Sequence, residues 1–155
     1  MSLPEIMMAA VIEQTRSSRE KVLRLEEALL ARPEAHLPHD VHHHFAPGIY
    51  MRELRIPKGA VLTGKIHRDA HLNLLTKGDI SVLTEHGVRR LIAPCIIESS
   101  PGIKRAGFAH EDCIWITVHA NPDDERDLNR LEARYIVPSF DAIEAPVTPD
   151  LIAGG

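Results

Sequence analysis

The residues best suited to chemistry in this sequence are two histidines, His67 and His71, which lie four positions apart between Gly64 and Gly78. An imidazole changes protonation state near neutral pH and is a common ligand of transition metals. The flanking residues alternate as in β-strands, so we expect the two rings to meet at a bend between two strands. We therefore predict a polar pocket in which His67 and His71 are the candidate catalytic residues.

Short strand-like segments separated by turns surround this pair. Between Ile49 and His119, turn signals such as Pro57-Lys58-Gly59 recur every eight to twelve residues. This interval is typical of an antiparallel sandwich or barrel. Alternation along the strands predicts two faces that converge at the bend: Val61, Thr63, Lys65 and His67 on one strand, and His71, Asn73 and Leu75 on the next.

The chain divides into four segments. Residues 1–32 are predicted to form an N-terminal helical segment, because the capping boxes at Ser2-Leu3-Pro4-Glu5 and Ser17-Ser18-Arg19-Glu20 precede apolar residues at helical spacing. Residues 33–48 are predicted to be a solvated loop rich in histidine and proline, from which His44 could fold over a pocket mouth. Residues 49–120 form the barrel. Residues 121–155 form a C-terminal helix that begins near Asn121-Pro122, followed by an extended tail.

Composition limits the classes of partner. The chain has 155 residues, 44% of them hydrophobic, and a net charge of -4, which predicts a single globular domain without the basic face that nucleic-acid binders carry. The longest apolar run, Ile6 to Ile12, is far shorter than the ~20 residues of a spanning helix. Without an apparent leader, a cytoplasmic location is the simplest expectation. We expect Cys95 and Cys113 to be buried thiols.

The region around the two histidines resembles the first motif of the cupin superfamily, whose members are small jelly-roll barrels, also called double-stranded β-helices. That motif is a glycine, a His-x-His pair, a glutamate four residues later and a glycine seven beyond. Here Lys65 and His67 occupy the pair, His71 occupies the glutamate position and Gly78 the closing glycine. The resemblance implies a mainly β cupin jelly roll, with the N-terminal helical segment and the C-terminal helix outside it.

The second cupin motif is a Pro-Gly turn followed three residues later by a histidine, and Pro101-Gly102 with Arg105 resembles it. More narrowly, the runs His43-His44-Phe45-Ala46-Pro47-Gly48 and Pro101-Gly102-Ile103-Lys104-Arg105 resemble uncharacterised cupin-like proteins of phage and prophage genomes. That group implies no particular activity. Two of the four metal-ligand positions of the superfamily thus carry imidazole and two carry cations.

Three functions are open on these residues. In the first, the barrel binds a small molecule at a degenerate site that holds a divalent ion of iron, manganese, zinc or nickel. The resemblance implies His67 and His71 as ligands, and His119, Glu53 or His44 would complete the set; we name His119, since it shares a strand face with Trp115. A protonated Lys65 or Arg105 close by would repel such an ion.

In the second, the site is metal-free and belongs to an isomerase or epimerase acting on an anionic sugar-type substrate. Lys65, Asn73 and Arg105 would bind the substrate, and His67 or His71 would act as acid or base. The third is a non-catalytic, phage-related structural or adaptor protein. Of these we commit to small-molecule binding. We expect a homodimer, because open jelly rolls hide their strand edges by pairing.

Overall fold

The computed structural model describes residues 2, 6, 19–28, 30, 31, 40–84 and 87–140. Helix α1 covers residues 19–28 and helix α2 covers Leu128–Tyr135. The strands are β1 (Asp40–Ala46), β2 (Gly48–Ile56), β3 (Val61–Thr63), β4 (Ile66–His67), β5 (His71–Lys77), β6 (Asp79–Thr84), β7 (Gly87–Ile92), β8 (Cys95–Ser99), β9 (Ala106–Ala109), β10 (Cys113–Asn121) and β11 (Ile136–Val137).

The strands form two main antiparallel sheets and a small third one. The larger sheet has the order β1-β2-β10-β5-β8, the smaller has the order β3-β9-β6-β7, and β11 pairs with β4. Along the chain the strands cross repeatedly between the two main sheets, which is the jelly-roll arrangement, or double-stranded β-helix. The predicted fold class, a mainly β jelly roll with an N-terminal and a C-terminal helix, is confirmed.

The hydrophobic core lies between the two main sheets. Leu54 and Leu75 from the larger sheet pack with Ile80, Val82 and Leu91 from the smaller one, and all five are buried. Gly78 allows the tight turn between β5 and β6, because its φ is +99° and an added Cβ would lie 2.4 Å from the carbonyl oxygen of Asp112. The closing glycine of the first motif is thus required by backbone packing.

Both helices pack against the barrel through buried side chains. In α1, Val22 is buried and the Glu26 carboxylate lies 2.6 Å from Nζ of the buried Lys104. In α2, Leu131 and Tyr135 are the buried residues, and Asp127 caps the helix by accepting a hydrogen bond from the Arg130 amide. No helix among the described residues is long and apolar enough to cross a membrane.

Two predicted boundaries differ from the structure. The predicted loop over 33–48 is wrong from Asp40 to Ala46, because these residues pair along their whole length with β2. The C-terminal helix begins at Leu128 rather than near Asn121, because Asn121 ends β10 and its side-chain amide bonds the backbone of Glu125. The helix predicted at Ser2-Leu3-Pro4-Glu5 and the tail beyond residue 140 lie outside the described residues, as do His36 and His39.

Candidate ligand-binding site in the barrel

His67 is held at the barrel mouth by backbone contacts from two directions. It lies in β4, where it pairs with Ile136 of β11, and its carbonyl accepts a hydrogen bond from the Gly102 amide at 2.9 Å. The next residue, Arg68, donates its amide to the Tyr135 carbonyl at 2.7 Å. The Pro-Gly turn of the second motif and the end of α2 therefore fix the position of the His67 side chain together.

His71 and His119 reach the same place from neighbouring strands. His71 begins β5 and His119 lies near the end of β10, which pairs with β5. The ring centroids are 4.3 Å apart for His67 and His71, and 5.5 Å apart from His119 to each of them. The three histidines that we named as candidate ligands are therefore neighbours in the structure. We call these three residues the imidazole cluster.

His71 has one nitrogen engaged and one without a partner. Its Nδ1–H donates to the Asp69 carbonyl at 3.1 Å, which fixes the tautomer and leaves a lone pair on Nε2. That Nε2 atom is buried and has no hydrogen-bond partner among the described residues, in a residue that is 8% exposed. Since an unpaired buried acceptor costs free energy, Nε2 is suited to accept a proton or hydrogen bond from a ligand.

Asn73 is placed under the cluster but is occupied by the protein itself. Its Oδ1 accepts hydrogen bonds from Trp115 Nε1 and Thr117 Oγ1, each at 3.1 Å, and its Nδ2 donates to Ser99 Oγ at 2.6 Å. The side chain is 2% exposed. We predicted that Asn73 binds substrate, but these bonds make it a residue that ties β5, β8 and β10 together beneath the site.

Burial keeps the imidazole cluster uncharged at neutral pH. It lowers the pKa of His67 to about 3, and the neighbouring His71 and His119 add to the shift. It lowers the pKa of His119 to about 4 in the same way, with repulsion from His71 and Arg52 contributing. The pKa of His71 is also lowered by burial, although its bond to Asp69 opposes the shift. Three neutral rings with free acceptor capacity result.

Arg105 brings a positive charge to this neutral cluster. It precedes β9 and is half-buried, and burial lowers the pKa of its guanidinium. Its charge also contributes to the lowered pKa values of His67 and His71. Arg105 follows Gly102 by three residues, and the Gly102 amide bonds to the His67 carbonyl. Within the described part of the chain, the Arg105 side chain forms no hydrogen bond or ion pair. Among the residues that the structure describes, Arg105 thus has no counter-charge.

Arg52 lies on β2, in the same sheet as His71 and His119, and our sequence reasoning did not identify it. Arg52 is paired in register with Thr117 of β10 and with His43 of β1. Its charge lowers the pKa values of His119 and His43. Alternation along β2 from the buried Tyr50 and Leu54 is the pattern that could have placed it inside the barrel.

Lys65 does not join the cluster. Its side chain is 63% exposed and forms an ion pair with Glu132 of α2. The chain is not in a strand at Gly64 and Lys65, so the alternation that predicted a common face for Lys65 and His67 is broken there. The proposed third ligands Glu53 and His44 also lie elsewhere, bonded to each other at 3.2 Å.

Both tyrosines lie next to the cluster, although their positions in the sequence gave little reason to expect it. Tyr135 stacks on His119 at a centroid distance of 4.1 Å, and Tyr50 lies 5.9 Å from the same ring. Their hydroxyls have partners: Tyr50 shares a 2.7 Å hydrogen bond with His43 Nδ1, and Tyr135 donates to the Ala120 carbonyl. The tyrosines therefore form one wall of the site.

The imidazole cluster does not fit a metal ion as it stands. Among the described residues, no group of three or more His, Cys, Asp or Glu side chains is arranged to hold one. The unpartnered Nε2 of His71 is a suitable donor, but no further donors among the described side chains are arranged with it around one point. The charge of Arg105 would also repel a divalent cation.

Comparisons with known proteins give matches at the level of structure. No family model matches the sequence and no curated protein matches it. A cupin superfamily protein from Desulfitobacterium hafniense has a TM-score of 0.47 and 7% identity, over 54% of this chain and 77% of its own. KdgF from a Halomonas species has a TM-score of 0.45 and 19% identity, over 57% of this chain and 79% of its own.

Ectoine synthase from P. lautus is similar to the same degree, with a TM-score of 0.45 and 10% identity, over 52% of this chain and 62% of its own. Likenesses of this size carry no argument about what this chain binds. The narrower resemblance to phage and prophage proteins has no support from these comparisons and stays a prediction.

Proposed function

We propose that the barrel binds a small anionic molecule, with Arg105 as the residue that recognises the anionic group. The observation that carries the proposal is the half-buried Arg105 guanidinium, which has no counter-charge among the described residues, in the same barrel as three clustered imidazoles. Arginine is not deprotonated in proteins, and a half-buried charge without a partner costs free energy. A carboxylate or phosphate bound there would supply the missing charge and accept bidentate hydrogen bonds.

The imidazole cluster completes the proposed site as a set of neutral groups. Because its rings are uncharged, the cluster adds no positive charge to that of Arg105 and can contribute hydrogen bonds only. The free lone pair of His71 Nε2 can accept a hydrogen bond from a protonated group of the ligand. The proposed binding uses no metal ion, because the described side chains offer no converging set of donors.

A binding experiment with one informative variant and two matched controls tests the proposal. Inorganic phosphate and a panel of small carboxylates are titrated into the protein by calorimetry. Arg105→Met should weaken binding by roughly ten- to a hundredfold, the scale of a charged hydrogen bond. Arg89→Met removes an exposed arginine on β7, and Lys65→Met removes a lysine that pairs with Glu132, so neither should weaken binding.

Equal binding to the parent and to a folded Arg105→Met protein would overturn the proposal. Loss of binding in Lys65→Met alone would restore our sequence prediction that Lys65 is the anion-binding residue. If no anion binds the folded parent, the proposal fails and the structural or adaptor alternative gains. That alternative expects the function of the protein to be unaffected by both Arg105→Met and Lys65→Met.

An isomerase or epimerase acting on an anionic sugar-type substrate is the second candidate. The unpartnered Nε2 of His71 favours it, since this atom could take a proton from a substrate bound at Arg105. Its depressed pKa makes His71 a weak base until a bound anion raises that pKa. Exchange of a substrate C–H proton for deuterium, followed by NMR in heavy water and lost in His71→Phe, would support this candidate.

A further inference from the structure

A small apolar cavity opens beside Arg105 and is not explained by anion binding alone. Its volume is about 80 Å³, and its walls come from both main sheets. Leu54 and Trp115 line it from the larger sheet, while Leu62, Ile80 and Val82 line it from the smaller one. Arg105 also lines this cavity, so the proposed anion-binding group stands at the edge of an apolar space.

Arg105 is the sole charged side chain in the lining of this cavity, within the part of the chain that the structure describes. The Trp115 indole N–H is engaged, since it donates to Asn73 Oδ1 at 3.1 Å. A hydroxyl group placed in the cavity would therefore leave water without gaining a side-chain partner. An occupant needs one anionic end and an apolar remainder, which excludes a polyhydroxylated sugar chain from this space.

The volume sets the length of that remainder. A cavity of about 150 Å³ accommodates benzene, so about 80 Å³ has room for roughly three or four carbon atoms. The cavity is closely bounded at Gly107, where an added Cβ would lie 3.2 Å from Ile80 Cδ1 and 3.5 Å from Leu62 Cδ2. No side chain can be added at Gly107 without narrowing this space.

We infer that the ligand is a short-chain aliphatic carboxylate, whose carboxylate pairs with Arg105 while a tail of three or four carbons fills the apolar cavity. The inference rests on the anion site proposed above and adds the class of molecule. Each methylene moved from water into the cavity should raise the affinity roughly three- to fourfold until the space is full. Longer tails should then lose affinity, because the close-packed walls do not yield.

The protein carries its own probe of this cavity. Trp115 is the one tryptophan of the sequence, and it lines the cavity, so its fluorescence should respond when a tail enters. We would titrate the unaltered protein with acetate, propionate, butyrate, pentanoate, hexanoate and octanoate, and with 3-hydroxybutyrate as the polar counterpart of butyrate. The affinity should peak at butyrate or pentanoate, and 3-hydroxybutyrate should bind more weakly than butyrate.

Two substitutions should move the optimum in opposite directions. Gly107→Ala narrows the cavity and should shift the preference towards propionate, whereas Val82→Ala enlarges it and should shift the preference towards hexanoate. Val88→Ala removes the same methyl groups from an exposed side chain on β7 and should leave the optimum unchanged.

The outcomes separate this inference from the proposed function. If carboxylates bind through Arg105 with equal affinity at every chain length, or if 3-hydroxybutyrate binds better than butyrate, the inference is overturned and the anion site stands. If neither phosphate nor any carboxylate binds the folded parent, both fail. Because the chain-length series uses the unaltered protein, it decides the question even if a cavity variant does not fold.

Discussion

The imidazole of His119 stacks on the phenol ring of Tyr135, with the centroids 4.1 Å apart and the planes 15° from parallel. The contact joins β10, the central strand of the larger sheet, to the end of helix α2, which follows β10 in the chain. It also closes one side of the imidazole cluster. The position of the C-terminal helix and the geometry of the site are therefore coupled.

We expect substitutions at Tyr135 to separate the contributions of its hydroxyl and its ring. Tyr135→Phe loses only the hydrogen bond to the Ala120 carbonyl and should reduce the free energy of unfolding by about 0.5–1.5 kcal/mol. Tyr135→Leu also loses the stacking on His119, so its cost should reach about 2–3 kcal/mol. Urea unfolding followed by circular dichroism measures both. Leu128→Ala, at a half-exposed position of the same helix, is the control, and a cost equal to that of Tyr135→Leu would contradict the coupling.

The free energy of unfolding should fall as the pH is lowered from about 6.5 towards 4. The pKa of His119 is about 4 in the folded protein, against about 6.5 in an unfolded chain. Between these values the unfolded state binds more protons, so acid favours unfolding, and the stability present above pH 6.5 is progressively lost. From pH 7.5 to pH 5, His119 alone should account for roughly 2 kcal/mol.

Urea unfolding at the two pH values measures this loss. His119→Phe keeps a ring on Tyr135 but cannot bind a proton, so its stability should depend less on pH. His44→Asn removes an exposed histidine on β1 and serves as control. Identical pH dependence in the parent and in His119→Phe would show that His119 is not buried as the structure places it.

Protein purified without a histidine tag and without chelators should contain far less than one equivalent of iron, manganese, zinc or nickel. The physical reason is that no group of three donors among the described residues is arranged to hold an ion, and that the charge of Arg105 would repel one. Elemental analysis by mass spectrometry measures the content. Near-stoichiometric metal that disappears in both His67→Ala and His119→Phe would mean that the rings rotate to bind it, and would restore the predicted metal site.

The predicted homodimer has a candidate surface on the outer face of the larger sheet. Ile96, Leu74 and Ile116 are neighbours in register across β8, β5 and β10, and Ile96 is 70% exposed. The strand β8 is also the edge of that sheet, which association would cover. Sedimentation velocity should show a dimer for the parent and a monomer for Ile96→Lys. A monomeric parent at high concentration would remove the homodimer prediction.

The local patterns of the sequence were sufficient for the strands and for part of the site. The alternation and turn signals predicted Cys95–Ser99 as a strand with the bounds that it has in the structure. The bend after His67 predicted its approach to His71. Both features depend on residues close together in the chain, where strand geometry has a fixed period of two. The same reasoning failed at Lys65, because the strand is interrupted there and the period does not continue across the gap.

The sequence by itself determined the fold class, the proximity of His67 to His71 and the presence of Arg105 after a Pro-Gly turn. Only the tertiary structure decided what surrounds them. Arg52, Tyr50 and Tyr135 reach His119 because β2 pairs with β10 and α2 returns to the barrel mouth. The burial of Arg105 and the apolar cavity beside it likewise depend on strands far apart in the chain. Such contacts are set by the order of strands in a sheet, which local periodicity does not encode.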